Sequence, residues 1–196
     1  MVSIGILAGS GWASGINLYL VTLLLGFASR LGSDSVPEVF GRTDLMIVAG
    51  VLFAVEFVAD KIPYVDNAWD AINTVVRPLG AAAIGAVIAG DATSVATVVA
   101  AVVAGALALN AHAAKASTRL AVNATPEPVS NISLSIFEDL SVAGLMALAL
   151  TYPVVTVIVV VVLVVAAAAL TLWLFRITRR ASRAVRKRLG AIRSRT

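Results

Sequence analysis

Cysteine is absent from the chain, and histidine occurs once. The first absence excludes disulfides, thiolate metal sites and cysteine nucleophiles, and it leaves the redox compartment unread. The second excludes a histidine-rich metal centre. Charge is scarce too, at 13% of residues against 60% hydrophobic, with a mean hydropathy of +0.97. Water-soluble domains carry roughly 25% charged residues, so this chain has too little polar surface to cover a globule in water. It holds several apolar segments near the ~20 residues that cross a hydrocarbon layer. The composition implies an all-α, polytopic transmembrane helix bundle over residues 1–175, with a basic tail over 176–196.

The charge that is present falls unevenly. Residues 176–196 carry nine Lys/Arg and no Asp/Glu, whereas the rest carries six basic and eleven acidic side chains. A basic block directly after a membrane segment points to anionic lipid headgroups and away from nucleic acid. Its headgroup-binding side chains are Arg176, Arg179, Arg180, Arg183, Arg186, Lys187 and Arg188. Ile177, Ala181, Val185, Leu189 and Ile192 follow helical spacing between them, so the tail reads as a basic amphipathic helix lying on the membrane. The positive-inside rule puts the C-terminus in the cytoplasm. About six segments put the N-terminus there as well. The loops near Asp34 and Asp91 then face outward, and Lys61, Lys115 and Arg119 lie at inner helix ends. The opening MVSIGILAGSGWASG has no basic region before its apolar stretch and reads as a retained segment.

Within the first segment, residues 4–29, stand Gly9, Gly11 and Gly15, with Asn17 just beyond. Small residues there serve either a close helix-packing face or a broken helix whose free backbone groups line a polar cavity. Residues 44–62 form the second helix. Asp66 reads as the N-cap of a helix running to Arg77, on which Asp66, Asp70, Asn73 and Arg77 make one polar stripe. Pro78 kinks or restarts that helix. Residues 79–90 then cross only by joining it, or else re-enter. The fourth segment, residues 95–114, leads into His112, Lys115 and Arg119 on one helix face. Pro126 and Pro128 hold Glu127 in a turn, and Ser130 or Asn131 caps the next helix, which carries Glu138 and Asp139. Tyr152-Pro153 marks a tight turn before the apolar run 154–175. Small-residue faces at Gly80–Gly90 and Gly105 suit a homo-oligomer.

Glu56 and Asp60 lie one helical turn apart, and two carboxylates in a low dielectric call for a cation, a proton or a metal. The sequence therefore predicts a polar site near the cytoplasmic end of the bundle. Its members are Glu56, Asp60, Lys61, Asp66, Asp70, Arg77, Lys115, Arg119, Glu127, Asn131, Glu138 and Asp139. Such a site suits a small transporter or channel for an ion, a small anionic or zwitterionic solute or a lipid headgroup, with or without proton coupling. Two alternatives stay open. One is a structural or assembly protein whose buried ion pairs fix helix register. The other is a metal-dependent membrane phosphotransferase using Asp66 and Asp70 with Mg²⁺. No HExxH or GxSxG motif occurs, and no catalytic residue, resident metal or cofactor is assigned.

The stretches GSGWASGINLYL, EFVADKIPYVDNAWDAINTVVRP, HAAKASTRLAVN and PEPVSN followed by ED carry a further signal. Together they resemble a bacterial integral-membrane family catalogued as domain of unknown function number 4126, from about residue 5 to about residue 150. The resemblance implies a small multi-pass protein of the bacterial cytoplasmic membrane. It implies that the twelve polar-site residues just named, Glu56 to Asp139 with Asn131 among them, and Pro63 and Pro128 belong to the family's pattern. It implies no activity, and the basic tail lies beyond it.

Overall fold

The computed structural model describes residues 4–62, 64–90, 95–123 and 128–193, and for residues 128, 178 and 181–193 the backbone alone. Six long helices follow one another: α1 Ile4–Arg30, α2 Thr43–Ala59, α3 Val65–Ala89, α4 Val95–Val122, α5 Pro128–Thr151 and α6 Pro153–Arg193. A short 3-10 turn, Glu38–Gly41, precedes α2. Five of the helices, all except α2, are long and apolar enough to cross a membrane. The remaining helix, α2, has 17 residues, at the lower edge of what spans hydrocarbon.

The bundle is organised along α4. Its inward stripe starts small, with Ala100, Ala104, Ala108 and Ala111, and continues as His112, Lys115 and Arg119. The small half lets neighbouring backbones approach, as lipid-embedded packing requires. Running antiparallel to it, α3 sets Gly85 against Ala100 and Pro78 against Gly105. A Cβ on Gly85 would lie 2.7 Å from the Ala100 carbonyl oxygen, so only glycine fits there. Pro78 neither stops nor restarts the helix. Residues 79–90 thus complete α3 and do not re-enter, and Gly90, at φ 91°, ends it.

The re-entrant segment is α1. Asn17 leaves the helical region, with φ −149° and ψ 96°, and divides α1 into residues 4–16 and 18–30. Each half is about 20 Å long at 1.5 Å per residue, well short of the ~30 Å hydrocarbon core. Residues 4–16 advance in step with α4: Gly11 sits on Ala104, Gly15 on Ala108, and the Ile16 carbonyl meets Lys115. Residues 18–30 advance in step with α3, which runs the other way. Leu18 packs on Gly80, Leu18 and Thr22 share an apolar groove of about 330 Å³ with Ala83 and Val87, and Ser29 lines a cavity with Ile88 and Ala89. The chain enters the bundle, turns back at Asn17 and leaves by the end it entered. Gly5 against Pro153 marks one arm of this V, and Arg30, donating to the Gly41 carbonyl and to Thr43, marks the other.

Both readings of the first segment meet here: Gly9, Gly11 and Gly15 are packing contacts against Ala149, Ala104 and Ala108, and the break falls at Asn17. One expectation changes. The termini do not share one end, because α2–α6 run end to end and α1 does not. The absence of native cysteine makes this easy to check. With single cysteines, Ile4→Cys and Ser35→Cys are expected to react with a membrane-impermeant maleimide from one side, and Arg180→Cys from the other. All three labelling from one side would sink the V.

Of the glycines expected to join copies, Gly80 is occupied within the chain by Leu18, Gly85 by Ala100 and Gly105 by Pro78, while Gly90 faces open space. The last helix, α6, packs on α1 and α4, and its backbone stays helical through Arg193. Arg176, Arg179 and Arg180 are exposed. The side chains of Arg183, Arg186, Lys187 and Arg188 lie outside the described residues, as do Pro63, Asp91 and Glu127.

Candidate functional site: a buried ion network at the tip of α1

Five short stretches meet at the tip of the V. On α2, the inward residues are Ala49, Glu56 and Ala59, while Ile47, Val48, Val51, Val55 and Val58 are exposed. The charged end of α2 is therefore its main anchor. A tight turn follows, with Tyr64 at φ 71°, a region that bulky residues rarely adopt. That turn carries the chain from Asp60 straight into the buried stripe Asp66, Asp70, Asn73 and Arg77 of α3.

Arg77 is fully buried and stands about 18 Å into α3, so the network reaches mid-bundle and is not confined to one end. Its Nη2 donates to Glu56 Oε1 at 2.5 Å. Its Nη1 donates to the Gly15 carbonyl at 3.1 Å and to His112 Nδ1 at 2.8 Å. Guanidinium only donates, so Nδ1 accepts, the ring proton is on Nε2, and His112 is neutral. Nε2 faces Thr74 Oγ1 at 3.0 Å, and that hydroxyl donates to the Asp70 backbone carbonyl.

One turn further along α4, Lys115 Nζ donates to Asp60 Oδ2 at 2.6 Å and to the Ile16 carbonyl at 3.1 Å, with Glu56 and Glu138 each at 3.5 Å. The carbonyls of Gly15 and Ile16 are free for these bonds because the helix breaks at the next residue. Arg119 donates to Glu138 at 2.5 Å, reaches the backbone and side-chain oxygens of Asp60, and lies 3.6 Å from Asp66. Asn123 continues the same four-residue spacing and donates to both Asp66 oxygens, while Asn131 donates to Asn123 at 2.9 Å. Asn17 caps the second arm of α1, accepting from Leu20 N–H at 2.9 Å, and donates to Asp139 at 3.0 Å. At the rim Lys61 donates to Ser135 and to the Phe57 carbonyl.

The structure thus gathers eleven of the twelve predicted polar-site residues; Glu127 is the one outside the described chain. Two local expectations are corrected. Asp66 does not cap α3, since Tyr64 holds that position and no side chain caps it. Asn131 does not cap α5, which begins at Pro128, and instead is buried inside it. His112 was read on the same helix face as Lys115 and Arg119, whereas Asn123 and the two α1 carbonyls were not assigned to the site from sequence. Asn123 was findable as the next step of the 112, 115, 119 stripe, but the carbonyls carry no sequence signal.

Charge within the site does not balance. Among the described residues, Glu56, Asp60, Asp66, Asp70 and Glu138 are buried with only Arg77, Lys115 and Arg119 as buried cations. Half-buried Asp139 and Lys61 add one of each sign. Negative charge is therefore in excess by two, in surroundings where uncompensated ions are costly. Oxygens without a hydrogen-bond donor include Glu56 Oε2, Asp60 Oδ1, both of Asp70, and Asp139 Oδ2. Among the described residues no group of three His, Asp or Glu is arranged to hold a metal ion. Asp66, one half of the suggested Mg²⁺ pair, is held by Asn123 and Arg119.

The profile of the domain of unknown function DUF4126 matches residues 4–173, so the chain belongs to that family. No curated protein and no solved structure matches it.

Proposed function

We propose that this DUF4126 protein is a small membrane transporter or channel that moves a cation or a proton through the buried network. The observation that carries this reading is the excess of carboxylates at the tip of a re-entrant helix. Broken or re-entrant helices inside membranes are tolerated where their backbone lines a polar site. The basic side chains are each held by carboxylates or carbonyls, which favours a cationic solute over an anionic one. By the positive-inside rule the basic tail and Lys61 face the cytoplasm of a bacterial cell, the N-terminus faces outward, and the tail meets anionic headgroups. A homo-oligomer, if formed, uses faces other than the glycines of α3 and α4.

The test is flux of K⁺, Na⁺ and H⁺ into liposomes holding purified protein, with lipid scrambling read on the same vesicles. Wild type is expected to pass at least one cation, and Glu56→Gln to lose at least ten-fold of that flux, about 1.4 kcal/mol on the barrier. Folded wild type that moves none of these ions overturns the reading.

A second reading rests on α2, whose inward anchors are charged. Here the ion pairs dock α2 and fix register without moving anything. It requires that Glu56→Leu alone unfolds the protein and that Glu56→Leu with Arg77→Leu restores it.

A further inference from the structure

Among the buried carboxyls one is set apart. Asp70 is 3% exposed, and neither of its oxygens receives a hydrogen bond. Its nearest cation is Arg77, whose Nη1 lies 3.4 Å from Oδ1. That nitrogen has two hydrogens, and both are directed elsewhere, to the Gly15 carbonyl and to His112 Nδ1. Glu56, Asp60 and Glu138 each accept a charge-assisted bond of 2.5 to 2.6 Å. Asp66 accepts from Asn123 at 2.8 and 2.9 Å. The charges facing Asp70 are Arg77 on its own helix, Lys115 and Arg119 on α4, Asp60 on the α2 side and Glu138 on α5, with neutral His112 beside Arg77. No helix packed here brings Asp70 a cation that lacks another carboxylate.

The geometry points to Asp70 as the proton-binding group of this site: it holds a proton while Arg77 is engaged by Glu56 and Gly15. A proton removes one of the two excess negative charges at the one buried carboxyl, among the described residues, that no donor stabilises as an anion. When that proton leaves, the new carboxylate competes for the Arg77 hydrogens now given to Gly15 and His112. Loss of the Gly15 bond loosens the tip of α1. The inference deepens the transport reading by naming the ion as a proton, but proton binding itself is measurable without transport.

The experiment pairs infrared difference spectroscopy with proton flux on the full chain in liposomes. Titrated through the neutral range, wild type is expected to show a protonated-carboxyl band that D70N lacks. D70N should also lose proton flux while its melting temperature stays within about 3 °C of wild type, since an amide replaces a neutral carboxyl without changing charge. A band that persists in D70N overturns the assignment, as does proton flux that persists. A D70N protein that fails to fold overturns it too, because a neutral Asp70 tolerates the amide. If the band is lost in D70N but wild type moves no protons, Asp70 remains the proton site and the naming of the transported ion as a proton falls.

Discussion

Arg119→Met is expected to destabilise the protein by about 3–5 kcal/mol, the usual consequence of removing one partner from a buried ion pair. Arg119 is fully buried and serves Glu138, Asp60 and Asp66 together. Methionine fills similar space but leaves three buried carboxyls facing one another. The measurement is the fraction folded against denaturant or temperature in detergent. Adding Glu138→Leu removes the carboxyl that Arg119 binds most closely and should return about 1–3 kcal/mol of the loss, as coupled neighbours do. A single substitution as stable as wild type would mean that the network is solvated and that its pairing contributes little. That outcome would weaken the structural reading more than the transport reading, since an open, wet network is what a pathway needs.

Gly15→Ala is the second large effect, expected to cost about 3 kcal/mol, the upper range for overpacking. An added Cβ would overlap the Ala108 carbonyl oxygen and meet the Ala111 Cβ at 2.7 Å. Backbone cannot swing aside as a side chain does, so the tip of α1 must lift from α4. Lifting it draws the Gly15 and Ile16 carbonyls away from Arg77 and Lys115. The substitution should therefore lower both stability and any flux. Gly144→Ala is the control. Nothing lies within 4 Å of a Cβ there, so helix propensity should make it neutral or stabilising by about 0.5–1 kcal/mol. Equal effects at the two glycines would show that α1 and α4 are not in close contact.

The two predictions separate what each part of the site does. Arg119 tests the charges, and Gly15 tests the backbone that positions them. They are linked through α1, because a break at Asn17 frees carbonyls only where the packing brings them to Arg77 and Lys115.

The sequence by itself determined the membrane class, the helical segments and the composition of the site. Scarce charge and long apolar runs are properties of composition. The stripe from Asp66 to Arg77, and the one through His112, Lys115 and Arg119, follow from helical periodicity, which repeats every 3.6 residues whatever surrounds it. Only the tertiary structure decided the direction of α1. Its 27 residues have the length and hydropathy of a full crossing, and the glycines and Asn17 allow a break there without fixing where the chain goes after it. The path beyond Asn17 is chosen by contacts with residues far along the chain, Gly80 against Leu18 and Asp139 against Asn17, 122 positions away, among them. The pairing was likewise beyond the sequence. Periodicity states which residues share a face, but which carboxylate wins each cation depends on how close the glycine and alanine surfaces let the helices come. That close approach left Asp70 without a donor, and its isolation is a fact of packing that no spacing of residues records.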